Sequence, residues 1–539
     1  MVTDAFALLS NQFTTAWGFS TYCVFWFGLA FGNWSLGSAM IGIGLNWWQA
    51  IVVNFVSQMI AAVAMAFNSR AATTYHLGYP AISRVVFGMV GSYYFVGSRA
   101  ILASVWYGIQ LYSGASHVAN MLRAIFGDSY KNMPNHLPAS AGIATNKMIA
   151  FFIFWLIHLG FCFFRPYQLT KFFWFKGFIM VPAVFGVFIY CMVETGGQVN
   201  HTLPQANATS GMGWFIIQAI NTGMGNSATL ITNQPDISRW SKTKSAPGVS
   251  SVVSSRSAEC QGLRANLISQ LVKPFTCTLA ASLGILATAA INGKWGLALW
   301  NPWDLLDAIQ DRHNGSGPRF AIFLAAFTWT VGILGTNIAA NMIAFGSDVS
   351  LIAPRYIDMK RGFFLAQVLA YAIVPWKIMS SAKTFTSFLS GYGLFMASVA
   401  AIMIADYFVT TRGNIKPAWL FDPRKTNKYY RYHKGFNLQA VIAYLIGIAL
   451  PLPGFLSSLG VSGVGVAGQR LFSLGWLLSF SISLISYPLI CRFWPTGNQR
   501  LFREEGMAWE ESSKATIEGV DIRISLDGII PDVEKTVKE

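Results

Sequence analysis

The sequence predicts an all-α membrane protein with about twelve transmembrane helices. Of its 539 residues, 54% are apolar and only 11% are charged, whereas a soluble domain carries about 25% charged residues. The apolar residues gather into about twelve segments of helix length, and roughly 20 apolar residues span a bilayer. The first and sixth segments each hold a Gly-Asn pair near mid-length, in Phe31-Gly32-Asn33-Trp34 and in Met224-Gly225-Asn226-Ser227. Secondary transporters often place discontinuous helices at equivalent positions of two inverted repeats. Two glycine-interrupted spans, five apart, match a five-plus-five repeat. Close helix packing is the competing use of such glycines.

The first five spans are expected at 14–43, 48–67, 93–120, 148–164 and 171–193. The next five are 211–232, 268–292, 319–345, 362–378 and 384–410, and the last two are 436–453 and 470–490. Segments buried inside the protein instead of spanning would move the count to between roughly eleven and thirteen. Residues 1–13 form a short cytoplasmic start without a basic residue, and 14–496 form the membrane domain. The first segment is too long for a cleavable signal peptide and lacks a basic leader; so short a start is also what a truncated gene model gives. Residues 497–539 alternate acids and bases and are expected to be a partly disordered cytoplasmic tail. The basic, aromatic stretch 412–434 is expected at the lipid headgroups. Residues 243–266 are Ser-rich and look like an insertion into a tight loop. They read either as a flexible loop or as a misassigned exon boundary.

The net charge of +16 invites a nucleic-acid partner, but the placement of the charges excludes one. With twelve spans both termini share a side, and that side holds 26 Lys and Arg against 9 on the other. Positive residues mark the cytoplasmic side, so both termini are expected there. The sequons at Asn200, Asn207 and Asn314 all fall in loops assigned outside. The six cysteines, Cys23, Cys162, Cys191, Cys260, Cys277 and Cys491, form no CxxC pair, so neither a disulfide framework nor a metal site is expected.

The stretch Ala219 to Thr232, with Asn221, Gly223, Gly225 and Asn226 close together, leads into Asn-Gln-Pro-Asp-Ile-Ser-Arg-Trp (Asn233 to Trp240). A lipid-facing helix has no use for those groups; an interrupted helix lining a polar cavity does. On the third span Trp106 and Gln110 lie four apart and share a helix face. An indole offers a flat surface for a heterocyclic ring, and a carboxamide complements the amide edge of a nucleobase. Taken alone, the pair also fits an interfacial Trp and a Gln bonded to a neighbouring helix. Gly335 to Asn341 on the eighth span again spaces two amides, Asn337 and Asn341, by four. Arg99, Lys273 and Asp406 lie near the inner ends of their spans and are expected to snorkel to the headgroups. His158, a single intramembrane imidazole, is expected to be a satisfied packing histidine, with a proton relay as the rival reading, and Glu194 is expected to be solvated at the outer face. No G-x-x-x-x-G-K-[ST] or G-x-S-x-G motif and no metal-ligand spacing occurs, so no enzyme, no cofactor and no ATP-driven pump is expected.

Several ordered segments resemble nucleobase–cation symporter family one, in its fungal branch of uracil, allantoin, uridine, thiamine and nicotinamide riboside permeases. They are Trp34 to Trp48, Tyr79-Pro80 through Gly88, Trp106 to Gln110, Asn233 to Trp240, Gly335 to Asn341, Pro354-Arg355-Tyr356-Ile357, Arg361-Gly362, Val374-Pro375-Trp376 and Asp406-Tyr407. The resemblance implies a five-plus-five inverted-repeat transporter fold with repeats at about 14–193 and 211–410 and two extra C-terminal helices within 436–496. It implies a substrate site between the first, third, sixth and eighth helices, with Trp106 stacking the ring and Gln110 and Asn341 bonding its edge. Asn226 and Ser227 join that site, and Gly32, Asn33, Gly335, Thr336 and Ser390 become cation or gating candidates. Gly335 and Thr336 fall where relatives with a sodium site place hydroxyl residues; only Thr336 keeps one, so a proton is expected rather than sodium. Many relatives carry an aromatic residue at the Ser227 position, and relatives taking uracil or allantoin often carry Asn at the Ser390 position. Both departures favour a bulkier ligand such as a nucleoside or thiamine, and the wording of Asn226 to Trp240 resembles the thiamine and nicotinamide riboside subgroup.

The expectation is therefore a plasma-membrane, proton-coupled importer of a small heterocycle that works by alternating access, with the lipid bilayer as its surroundings. A homo-oligomer is compatible with it. A facilitative channel and a non-transporting receptor for the same ligand class are the rival readings.

Overall fold

The computed structural model describes residues 19–164, 169–199, 211–241, 259–422 and 424–513. The expected segment 1–13, the sequons at Asn200 and Asn207, most of the 243–266 stretch and the tail beyond residue 513 lie outside the described residues.

All twelve apolar segments become helix, and the described residues form no strand. The first span is Phe19–Ala30 (α1) and Asn33–Gly42 (α2), separated by a turn at Phe31 and Gly32. The expected interruption is therefore present. The Asn33 side chain donates to the Ala30 carbonyl at 3.0 Å, satisfying one of the carbonyls a helix end leaves orphaned. Trp47–Tyr75 (α3), the amphipathic Tyr79–Phe87 (α4), Gly91–Phe126 (α5), Thr145–Phe161 (α6) and Thr170–Thr195 (α7) complete the first half.

The sixth span corrects the sequence reading. Met212–Ser238 (α8) is one 27-residue helix, unbroken through Gly223 and Gly225. A Cβ at Gly225 would lie 2.1 Å from the Leu389 carbonyl oxygen, and one at Gly223 would lie 2.3 Å from the Ser57 hydroxyl. Both glycines let neighbouring helices approach closely, the competing use of small residues in membrane helices. Glu259–Trp295 (α9), a short helix Pro302–Arg312 (α10), Ser316–Asn337 (α11), Ile343–Ile352 (α12), Met359–Ala372 (α13) and Ala382–Ala405 (α14) follow. A wide π turn at Ile338–Met342 joins α11 to α12, so the eighth span is distorted but continuous. The last two spans are Leu438–Ala449 (α15), bent by 55° into Leu452–Ser458 (α16), and Gly475–Phe493 (α18), preceded by Val466–Ser473 (α17). By length and mean hydropathy, six described helices qualify alone as membrane spans, or seven with the bent pair.

Helix contacts mirror each other between the two halves. The second span (α3) packs on the sixth (α8), and the seventh (α9) packs on the first (α1, α2). The fourth (α6) packs on the third (α5), and the ninth (α13) on the eighth (α12). The third and eighth also pack on each other. Exchanging the first half for the second leaves this scheme unchanged, as an inverted repeat requires. The tenth span (α14) lies between α8 and α18.

The connections sort into two ends. At the expected outer end Arg123 pairs with Asp307 at 2.9 Å and with Asp311, which also takes Lys131, and Lys294 pairs with Glu194 at 2.7 Å. Glu194 is thus ion-paired rather than merely solvated. Burial works against the Asp311 carboxylate, but hydrogen bonds from Lys131 and Arg123 outweigh it and hold its pKa below the ordinary value. At the expected inner end Arg84 bonds the Leu420 carbonyl at 3.1 Å, and Tyr75 bonds the Gly413 carbonyl at 2.7 Å.

Two further features stand there. Tyr429, Tyr430 and Leu420 in the 412–434 stretch are buried against protein, while its basic Arg412, Arg424, Lys425 and Lys428 are exposed. The start of the tail is also ordered. Gly497–Glu504 (α19) leads to Glu510, which takes a bidentate pair from Arg70 at 2.6 and 2.7 Å and a hydrogen bond from Tyr407 at 2.8 Å.

Candidate functional site

The break between α1 and α2 opens onto a cavity of about 130 Å³ enclosed by α5, α7, α8, α10, α11 and the start of α14. A broken span leaves backbone carbonyls at the end of α1 and N–H groups at the start of α2 without helical partners. Gly28, Leu29 and Phe31 through Leu36, the residues around the break, line the cavity. Trp106 and Gln110, one helical turn apart, both line it from α5, and Asn226 and Asn341 line it from α8 and from the π turn.

Trp106 is held firmly. Its indole N–H donates to the Tyr392 hydroxyl at 3.0 Å, and that hydroxyl donates to the Gly225 carbonyl at 2.6 Å. Phe385 and Phe388 meet the indole edge-on, at centroid distances of 6.3 and 6.1 Å. Among the described residues no ring stacks on its face, which suits it to receive a flat ligand. The Gln110 carboxamide has no hydrogen-bond partner among the described residues, so its donor and acceptor edges remain available. Asn341 donates to Asn337 at 2.9 Å, and Asn337 donates to the Tyr107 carbonyl at 3.1 Å. Asn226 donates to Asn33 at 3.4 Å. The two Gly-Asn pairs singled out by sequence therefore meet in space, although only one breaks its helix.

Three expected site residues lie elsewhere. Ser227 is fully buried away from the cavity and accepts from Lys273 at 3.1 Å, because α8 turns that face toward α3 and α9. Ser390 bonds Thr222 at 2.9 Å and ties α14 to α8. Gly335 does not line the cavity; a Cβ there would lie 2.5 Å from Cδ of Lys176, so this glycine makes room for the lysine stem.

Lys176 is the functional candidate that sequence reasoning passed over, although it stands within the fifth apolar span, about two turns from its expected inner end, where an ionisable group is itself a signal. Its buried ammonium donates to the Thr336 hydroxyl at 2.9 Å. It lies beside Gly28, on the last turn of α1, where a Cβ would sit 3.9 Å from Nζ. Among the described residues no carboxylate pairs with it. The Lys176 amine thus occupies the space beside Thr336, one of the expected cation or gating candidates.

The other intramembrane charges do not snorkel. Arg99 is 1% exposed and pairs with Asp348 at 2.7 Å, with Asp236 at 2.6 Å and with Asn233 at 2.8 Å. Its guanidinium lies 4.0 Å from the centre of the Tyr79 ring. The Asn233 to Trp240 segment therefore serves an interlock of α4, α5, α8 and α12 at the expected inner end, below the cavity and not in it. Lys273 is buried on Gln58 and Ser227, and Asp406 accepts from Tyr487 at 2.7 Å. Polar partners inside the bundle replace water for all three. His158 is satisfied as expected, by Tyr107 at 3.2 Å and Asn337 at 3.3 Å. No cluster of His, Cys, Asp or Glu suited to a metal occurs among the described residues.

Comparison with known proteins places this geometry in a family. The model for permeases of cytosine/purines, uracil, thiamine and allantoin matches residues 11–256 and 263–479. The allantoin permease of Saccharomyces cerevisiae is 33% identical over 491 residues, covering 89% of this chain and 74% of that protein. The uracil permease of the same yeast is 32% identical over 529 residues, covering 94% and 80%. A thiamine transporter of that yeast is 26% identical, so whole-chain identity does not follow the thiamine-like wording near Asn226. Mhp1, a nucleobase-cation-symport-1 family transporter solved in a closed conformation with bromovinylhydantoin bound, shares the fold. Its TM-score is 0.66 at 19% identity, over 93% of this chain and all of that one. The inward-facing conformation of Mhp1 gives 0.68 at 19% identity, over 92% and 97%. The chain belongs to the family of permeases for cytosine/purines, uracil, thiamine and allantoin.

Proposed function

We propose that the chain is a proton-coupled importer of a nitrogen heterocycle, acting by alternating access at the plasma membrane with both termini in the cytoplasm. The observation that carries this reading is the convergence of Trp106, Gln110 and Asn341 on one cavity beneath the break in the first span. The indole stacks the ring, and the carboxamides bond its polar edge. The broken span supplies backbone groups and helix-end dipoles to the substrate. The aromatic start of α14, with Phe385 against Trp106 and Trp300, closes the outer access. The Arg99 interlock closes the inner one.

Coupling to a proton rather than sodium rests on Lys176. A cation site that already holds a tethered ammonium has no vacancy for sodium, whereas an amine exchanges protons. The relatives' printed names, allantoin permease and uracil permease, support the ligand class.

The deciding experiment is uptake in a yeast lacking its own permeases. Labelled uracil, uridine, allantoin, thiamine and nicotinamide riboside compete for entry, with and without a protonophore and with sodium replaced by choline. Concentrative uptake of one of them that falls with protonophore and ignores sodium supports the reading. Uptake that only equilibrates and ignores the protonophore makes the protein a facilitator. Binding without accumulation makes it a receptor.

A further inference from the structure

A second polar feature of the cavity lies beyond the expected substrate residues. Helix α5 presents Trp106, Gln110, Ser113 and His117 along one face, and all four line the same cavity. His117 is fully buried, and both of its ring nitrogens lack a hydrogen-bond partner. The other buried imidazole of α5's surroundings, His158, has both nitrogens bonded. Leaving a buried polar group unpaired is costly, so an unpaired imidazole that also lines a cavity is a candidate to meet a ligand there.

The imidazole is also held in place. It lies parallel to Trp329, with centroids 5.7 Å apart and an interplanar angle of 13°, and the Trp303 ring meets it edge-on at 5.7 Å. Ser113 between them is already committed, donating to the Ile109 carbonyl at 2.9 Å. Gln110 and His117 therefore form two uncommitted polar stations. Seven residues of helix put them about 10 Å apart along the axis. A single six-membered ring stacked on Trp106 reaches the first station and not the second. At about 130 Å³ the cavity is also below the usual 300–1,000 Å³ of small-molecule sites, so it must widen to take a ligand of ordinary size.

We infer that His117 is a specificity residue that hydrogen-bonds a hydroxyl-bearing arm on the substrate ring, so that the cavity selects a ribosylated heterocycle over the bare ring. This rests on the heterocycle reading above and narrows it. The ring lies at Trp106 and Gln110, and the arm runs along α5 toward Trp303 and Trp329.

The test compares uptake KM, or Ki against the best-transported substrate, for two pairs: uracil with uridine, and nicotinamide with nicotinamide riboside. It uses the full chain and its His117→Phe and His117→Gln variants in permease-null yeast. Phenylalanine keeps the ring packing on Trp329, and glutamine keeps a hydrogen-bonding edge. In the unaltered protein at least one riboside should bind more tightly than its base. His117→Phe should weaken that riboside on the order of tenfold, the size of one lost hydrogen bond in a site built to make it, and leave the base within about twofold. His117→Gln should recover much of the riboside affinity. Equal weakening of base and riboside would assign His117 a structural role and overturn the inference, as would a protein that binds the base as tightly as the riboside. If no member of either pair binds the unaltered protein while allantoin or thiamine does, this inference falls and the heterocycle reading stands; if none of these compounds binds, both fall.

Discussion

The Trp106 indole N–H donates to the Tyr392 hydroxyl at 3.0 Å, joining the third span to the tenth. Tyr392 donates in turn to the Gly225 carbonyl on the sixth span at 2.6 Å, so three helices fix the plane of one indole. Trp106→Ala removes the stacking surface, worth about 1–3 kcal/mol for a base. Uptake should be abolished while surface expression persists. Tyr392→Phe leaves the indole in place but frees its N–H, and should raise KM several-fold with smaller loss of maximal rate. Uptake kinetics beside a surface-biotinylation control check both, and unchanged uptake by Trp106→Ala would show the site misplaced.

The two interrupted-looking spans call for opposite outcomes on adding a methyl group. At Gly225 a Cβ would press on the Leu389 carbonyl at 2.1 Å, whereas at Gly32 the nearest atom is the Leu29 carbonyl oxygen at 3.7 Å. Gly225→Ala should push α8 from α14 and cost about 1–3 kcal/mol, the usual range for overpacking. Gly32→Ala should leave stability almost untouched. Thermal midpoints by fluorescence-detected size exclusion in detergent distinguish them; equal midpoints would remove the packing explanation for Gly225.

That contrast marks what could be read from the residues alone. The helical segments and their order are legible in the hydropathy, and Trp106, Gln110 and Asn341 line one cavity. A glycine that ends a helix and a glycine that admits a neighbour carry the same letter, however, so the break at Gly32 and the contact at Gly225 could not be told apart without knowing that Leu389 lies alongside. Ser227 failed for a related reason: one step along α8 from Asn226 is about 100° of rotation, enough to move it from the cavity to Lys273. The Asn233 to Trp240 motif was visible, but its partner Arg99 lies 137 residues from Asp236, and pairing at that range has no periodic signature.

The Arg99 interlock should behave as a buried ion cluster. Arg99→Ala strips the partner from Asp236 and Asp348, which are 6% and 0% exposed, and leaving such charges unpaired costs about 3–5 kcal/mol. Folded yield and thermal midpoint should both fall. Combining Arg99→Ala with Asp348→Asn removes one of the stranded charges and should recover part of the loss. Full stability in Arg99→Ala, or no recovery in the double variant, would show that the cluster does not hold the inner end together.

Lys176 offers the sharpest test of what drives the cycle. Its amine bonds Thr336 on the eighth span and lies beside Gly28 at the end of α1, so it contacts the first and eighth spans at once. If its charge is what closes that contact, a proton entering or leaving the amine couples directly to opening. Lys176→Met keeps the stem that fills the space beside Gly335 and deletes only the ammonium. The variant should bind substrate and, in proteoliposomes, exchange labelled for unlabelled substrate. It should lose accumulation against a gradient and all sensitivity to protonophore. Were Lys176→Met still to concentrate substrate in a protonophore-sensitive way, the coupling proton would have to be carried elsewhere.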